Sequence, residues 1–423
     1  MNSFSTVFGL ARRSLMNRKA TALLTILSIA ISVALLVGVE RVRTEARNSF
    51  NNTISGTDLI VGARSGDINL LLYSVFRIGN ATNNVTWESY QDIANNPRVE
   101  WTIPISLGDS HRGFRVMGTN HDYFKHYRFA GKRNLEFAEG EQFNGVFETV
   151  LGADVAAELG YQIGDEIVIS HGAGVTSFAN HDDKPFTVTG ILKKTGTPVD
   201  RTVHVSLEGI EAIHIDWQSG ARMPGRGITA EQALKMGLQP EALTAFMVGL
   251  KSRAASFRLQ REINEYQEEP LLAIIPGVTL QQLWELVRMA ELALLAVSIC
   301  VVIAGLIGML TSILISLNER RREMAILRAV GARPWHVLLL LVSESALLAG
   351  AGAVAGMAMI VAATALFAQV LQQRFGIFIE VRWPGTFEWA IAGIVVVAAI
   401  IVGLWPAWRA YRNALADGLT IRV

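Results

Sequence analysis

The sequence predicts an α-helical membrane protein with four transmembrane helices and an extracytoplasmic α+β domain, and three observations predict it. Hydrophobic residues make up 51% of the 423 residues and charged residues only 18%, against roughly 25% charged in soluble domains, with a mean hydropathy of +0.32. The apolar residues fall into four stretches, each long enough to cross a hydrocarbon core that takes roughly 20 helical residues. Residues 40–288, between the first and second stretches, carry instead the turn density and alternation of a folded module.

Residues 1–19 form a cytoplasmic amphipathic segment ending in Arg12, Arg13, Arg18 and Lys19. The first span, 20–39, contains no Asp, Glu, Lys or Arg. It exceeds the roughly 7–15 residues of a signal-peptide core, so it reads as a retained anchor. The outer module then opens with a strand over Thr57–Val61 and a helix capped by Thr86, followed by strands at Val99–Ser106 and Gly113–Met117. A second block, about residues 136–243, has strands at Thr149–Leu151, Glu166–Ser170, Phe186–Leu192 and Thr202–Ser206 and a helix over Ala153–Leu159. A strand at Ala245–Leu250, a helix at Arg253–Tyr266 and a strand at Leu271–Ile275 close the module. We read this as two subdomains, the second inserted into the first. Thr279 caps a helix with Leu280, Leu283, Leu286 and Val287 at helical spacing, and nothing breaks it before the second span, 289–317. Residues 318–336 are a loop, 337–370 the third span, 371–388 a short outer loop, 389–408 the fourth span and 409–423 a tail.

Orientation follows from the Lys and Arg residues next to the spans. They accumulate before the first span, in the 318–336 loop (Arg320, Arg321, Arg322, Arg328, Arg333) and after the fourth span (Arg409, Arg412, Arg422). Both termini and that loop are expected on the cytoplasmic side, with the large domain outside. The 38 basic and 37 acidic side chains leave a net charge of +1, so no global field steers the chain onto nucleic acid. The single cysteine, Cys300, excludes an internal disulfide and any multi-cysteine metal site.

No Walker A loop occurs, and neither a zinc-protease H-E-x-x-H nor a G-x-S-x-G elbow is present. The Gly172/Gly174 pair lacks the third glycine of a dinucleotide fingerprint. His171, His181 and Asp182 are candidate metal ligands if their loop folds back, but the spacing matches no standard site and a solvated polar loop is the simpler reading. The run Ile68–Phe76 is apolar on too many sides for a surface helix, so it packs into the outer core or meets lipid or a partner. Glu344 stands inside the third span, where an acid costs about 2.5–3.5 kcal/mol on insertion scales. A structural pairing with a neighbouring helix or loop is favoured over an ion relay, because no other acid lies within a span. Gly352 and Gly356 form a G-x-x-x-G helix-packing motif in the same helix. In the 318–336 loop Asn318 caps a helix over Glu319–Val330, with Gly331 at its end and Pro334 beyond. Positive-inside anchoring explains its arginines but not a capped amphipathic helix, which suits docking to a partner.

The run Asn318-Glu-Arg-Arg-Arg-Glu-Met-Ala-Ile-Leu-Arg-Ala-Val-Gly-Ala-Arg333 resembles the signature of the MacB/FtsX/LolC-type ABC permeases. Leu10–Lys19, Glu344 with its following glycines, and Trp405-Pro-Ala-Trp-Arg-Ala410 are similar to other parts of that family's pattern. Ala325 departs from it, standing where many relatives have glycine. The resemblance implies a non-catalytic permease subunit. ATP and Mg would belong to a dimer of separate ATPase subunits, and a second permease copy or paralogue would complete the pair. A periplasmic adaptor or binding protein is a further implied partner, and nucleic acid is not. The coupling residues it implies are Glu319, Arg320, Arg321, Arg322, Glu323, Ile326, Arg328 and Gly331. It also implies a porter-like outer subdomain, moved through stalk helices for efflux or lipoprotein release (mechanotransmission). The alternative is a membrane scaffold of the FtsX kind, controlling an envelope hydrolase without moving a substrate.

Overall fold

The computed structural model describes residues 3–172, 181–218, 221–222, 228–319, 332–375 and 381–416, which fall into two compact units. One comprises residues 1–46 and 288–423, the other residues 47–287.

The first unit is helical. A helix at Ser3–Asn17 precedes four helices that are long and apolar enough to cross a membrane. These are Lys19–Thr53, Pro276–Glu319, Pro334–Phe375 and Thr386–Ala416. The second begins at Pro276, ahead of the Thr279 cap read from the sequence. Proline's fixed φ suits the first helical turn, where its missing N–H is not needed. Large side chains such as Leu23, Leu24, Leu294, Ile303, Ile394 and Ile401 face outward. The buried positions hold many small residues: Ala30, Ala349, Ala353, Ala392, Ala399 and Ala407. That distribution suits lipid. Hydrocarbon gives apolar side chains no reason to leave it, so helices associate where small residues let backbones approach. A Cβ on Gly352 would stand 2.7 Å from Cβ of Ile29, and one on Gly356 2.7 Å from the carbonyl oxygen of Ala30. Gly350, two residues before Gly352 and so on a different face of the helix, meets open space.

The second unit is built on one 11-stranded sheet. Its path runs Leu271–Ile274, Leu59–Ala63, Ala245–Leu250, Val99–His111, Phe114–Thr119, Thr202–Ser206, Glu148–Leu151, Phe186–Leu192 and Phe137–Gly140. The chain before and after the second block therefore shares one half of the sheet, and the second block supplies most of the other. The 13-residue strand Val99–His111 joins them. Its first part pairs with Ala245–Leu250 and its last part with Phe114–Thr119. The sequence placed the end of this strand at Ser106; five further residues are needed because both halves hydrogen-bond to it.

Local chemistry explains several boundaries. Thr86 accepts from the backbone N–H of Ser89 and starts the Trp87–Ala94 helix. Gly160, in the left-handed region at φ 72°, ends the Ala153–Leu159 helix. The Ile68–Phe76 run belongs to the outer core: Leu70, Leu71, Tyr73, Val75 and Phe76 are buried there. His204 is also fully buried, with its ring beside Tyr123 and Phe124. Burial, with a smaller push from Arg77, lowers its pKa to about 3.

Two outcomes are expected. Gly356→Leu should lower the melting temperature in detergent, whereas Gly350→Ala should leave it unchanged or raise it slightly, since alanine gains up to about 1 kcal/mol in a helix. Thermal unfolding of both variants checks this. His204 stays neutral when folded but takes up a proton below about pH 6.5 when unfolded, so its contribution is complete above that pH and is lost as pH falls toward 3. Denaturant unfolding should show wild type losing on the order of 2 kcal/mol more than His204→Gln between pH 7 and pH 5.

Candidate functional site

The ends of two apolar helices are built into the core of the outer unit. Phe50, near the C-terminal end of Lys19–Thr53, stacks on Phe76 with ring centroids 4.2 Å apart. Its edge meets Trp284, of helix Pro276–Glu319, at 5.5 Å. The Arg47 guanidinium lies 5.4 Å from the centre of the Trp284 ring, and Leu280 is buried in the same cluster. Backbone bonds hold the first of these ends: Ala130 N–H donates to Asn52 O at 2.8 Å, Ser55 N–H to Arg128 O at 2.9 Å, and the Tyr127 hydroxyl to Thr53 O at 2.5 Å. Displacing either helix end would therefore strain the core cluster.

Within the helical unit, the first apolar helix is gripped on two sides. Ser32 Oγ donates to Ser28 O at 2.8 Å and lies 3.1 Å from Val301 O of the second helix. On its other side Gly352 and Gly356 of the third helix bring the backbones together. Glu344, also on the third helix, is 3% exposed. It borders a cavity of about 280 Å³ with Arg18, Lys19, Thr21, Ser312 and Ser316. Two cations and several hydroxyls thus line the space beside this buried carboxylate, partners that an acid shielded from water requires. The arrangement joins the helix Ser3–Asn17 end, the first span and the second span around one acid.

A second charged group in this unit escaped sequence reasoning. Arg41 is 2% exposed and pairs with Glu388 at 3.7 Å, while its Nη2 donates to Arg382 O at 2.7 Å. Glu388 also accepts from Gly385 N–H at 2.5 Å and pairs with Arg382 at 3.4 Å, and Arg382 reaches Glu45 at 3.3 Å. The available signal was positional: Arg41 follows the first span and Glu388 precedes the fourth, so an up-down bundle puts the two at one end.

Of the residues to which the resemblance assigns coupling, Glu319 closes the second apolar helix, and Arg320, Arg321, Arg322, Glu323, Ile326, Arg328 and Gly331 lie outside the described residues. Past them, the N–H of Arg333 donates to His336 Nδ1 at 3.0 Å at the start of the third helix. His171 and His181 come together in the outer unit, joined by His214, which the sequence reading did not include. Asp182 is exposed and is not among the groups gathered there.

Four apolar helices with an extracytoplasmic α+β domain between the first and second define a membrane permease component. Residues 22–266 match the family model described as the MacB-like periplasmic core domain, and residues 295–415 match the FtsX-like permease C-terminal model. The chain belongs to the MacB/FtsX-type ABC permease family. It is 25% identical over 348 residues to the pyoverdine export ATP-binding/permease protein PvdT of Pseudomonas syringae pv. tomato, covering 79% of this chain and 48% of that protein. It is also 25% identical over 409 residues to the macrolide export ATP-binding/permease protein MacB of Nitrobacter winogradskyi, covering 93% of this chain and 58% of that protein. The chain spans about half the length of the curated relatives it matches. The periplasmic region of MacB from Actinobacillus actinomycetemcomitans aligns at 9% identity with a TM-score of 0.33, over 55% of this chain and 94% of that one.

The Arg41–Glu388 pair yields a graded expectation. Removing one partner of a buried pair costs about 3–5 kcal/mol where the other charge is left uncompensated, and Arg382 beside Glu388 makes that range an upper limit for Arg41. Arg41→Ala should therefore lower the melting temperature in detergent sharply, and Arg41→Met/Glu388→Leu should recover most of the loss. A double-mutant cycle by thermal unfolding measures the coupling.

Proposed function

We propose that this chain is the permease subunit of an ABC transporter in which ATP hydrolysis by a separate ATPase dimer moves the extracytoplasmic domain. The movement would export or release a substrate at the outer side of the membrane. The observation that carries this reading is the packing of Phe50 and Trp284 in the core of the outer unit, at the ends of the helices that also form the first and second spans. A displacement along either helix is delivered to folded core, where a flexible linker would absorb it. An α-helix rises about 1.5 Å per residue and is stiff along its axis, so such a device needs no opening between the membrane helices.

In this reading Glu319, Arg320, Arg321, Arg322, Glu323, Ile326, Arg328 and Gly331 dock on the ATPase, which supplies ATP and Mg. Both termini face the cytoplasm of a bacterial inner membrane, and a second permease copy or paralogue completes the pair. A periplasmic adaptor or binding protein fits the same scheme. Glu344 and its cavity hold the inner ends of the first three spans together, so that force entering at the 318–336 loop reaches the first and second helices. The names of the relatives, which join ATP-binding and permease in one protein, support the pairing with an ATPase.

The expected result is that the detergent-solubilised chain co-purifies with its cognate ATPase and alters ATP turnover. Arg321→Glu/Arg328→Glu should abolish both while leaving the melting temperature of the isolated chain unchanged. Binding and turnover unaffected by the double substitution would make the loop a topology anchor only and remove the coupling assignment.

A further inference from the structure

We propose that Asp109, His171, His181 and His214 form a binding site for a divalent transition-metal ion of the zinc class in the outer unit. The four residues come from separate stretches of chain, and three of them are placed by ordinary secondary structure. His171 lies on the short strand Ser170–His171, in register opposite Asp109 of the long strand Val99–His111. His214 is the last residue of the helix Leu207–His214, whose start is set by the Ser206 cap. His181 is fully buried, its backbone N–H bonded to Ile169 O at 3.0 Å. One ring nitrogen from each of the three histidines falls within 4.8 Å of the others.

The spacings suit a tetrahedral ion. Metal–nitrogen bonds of about 2.0–2.1 Å in tetrahedral geometry separate neighbouring ligand atoms by about 3.3 Å. His171 Nδ1 is 3.3 Å from His214 Nε2. Asp109 Oδ1 is 3.1 Å from His171 Nδ1 and 3.6 Å from His214 Nε2. Atoms that bear lone pairs and meet this closely need positive charge between them, from protons on the rings or from a cation. A cation supplies it with all three imidazoles neutral.

The surroundings support the second source. His214 Nδ1 donates to Ile210 O at 2.7 Å, which directs the lone pair of Nε2 inward, the outer-shell contact that orients ligating histidines. His181 is packed against both other rings, with centroids 4.7 Å from His171 and 5.3 Å from His214. Three imidazoles and one carboxylate leave a divalent ion with a single net positive charge, and this donor set selects zinc or its borderline neighbours over calcium and magnesium. His171 and His214 keep side-chain exposures of 25% and 29%, which gives an ion a way in. An ion held by the three histidines, with Asp109 beside two of them, would tie the Leu207–His214 helix to the sheet.

The proposal stands apart from the coupling assignment, and its test does not involve an ATPase. The full chain, purified in detergent with a tag free of histidine and stripped with chelator, should bind one Zn²⁺ per chain, read by isothermal titration and metal analysis. Co²⁺ should give the intense visible bands of a tetrahedral site. His181→Ala and His214→Ala should each weaken Zn²⁺ binding by about 100-fold or more, as loss of a direct ligand exceeds the effect of outer-shell changes. Asp182→Asn should bind as wild type. Circular dichroism of each metal-free variant separates loss of a ligand from loss of fold, and His214→Gln replaces any variant whose spectrum departs from that of the metal-free wild type. Substoichiometric binding, an octahedral Co²⁺ spectrum, or a smaller effect in the folded histidine variants would overturn the assignment and leave a metal-free hydrogen-bonded cluster.

Discussion

An unbroken backbone hydrogen-bond ladder is the constraint on which most of this protein depends. Hydrocarbon offers no partner for a free N–H or C=O, so each span must satisfy its own. Lys19–Thr53 and Pro276–Glu319 extend that solution well beyond the length a bilayer requires, at 35 and 44 residues. The extra turns end among Phe76, Tyr127 and Leu280 in the outer core. Neither extension contains an internal proline or a cluster of glycines, so each ladder continues to the end of its helix. The mechanical reading of the permease rests on that continuity.

Polar groups in the helical unit follow a matching logic. An acid or arginine shielded from water is stable only with partners, and the structure provides them at two levels. Glu344 borders a polar cavity with Arg18 and Lys19, whereas Arg41, Glu45, Arg382 and Glu388 form a linked group of charges. Between these levels the packing is carried by Gly352, Gly356 and Ser32, which bring backbones close. Small residues set the distances there, and the charged groups specify which helices meet.

The outer unit shows how an inserted block can be tied to its host without a separate hinge. Val99–His111 pairs with strands on both sides and turns two sequence blocks into one sheet. At the far end of that strand Asp109, His171 and His214 meet, so the proposed metal centre sits where the long strand, a short strand and a helix end converge.

Much of the architecture was legible in the chain because its signals are local. The four spans, the Thr86 cap and the strands Phe186–Leu192, Thr202–Ser206 and Ala245–Leu250 declare themselves through runs, caps and alternation within about ten residues. The family was readable from the contiguous Asn318–Arg333 run. The sequence also isolated Glu344 and the glycine pair as unusual, since an acid and a G-x-x-x-G inside an apolar helix stand out alone. It could not name their neighbours. Arg41 meets Glu388 across 347 positions, and Asp109 meets His214 across 105, through strand register and helix ends that no short window encodes. His171 and His181 looked like a solvated loop for the same reason: without the register that sets His171 opposite Asp109, two histidines and nearby acids are ordinary surface. Composition and periodicity determined which segments would be helices, strands and spans. Only the tertiary structure decided which charges and ring nitrogens would share a site, because contact between distant residues is a property of packing and not of local order.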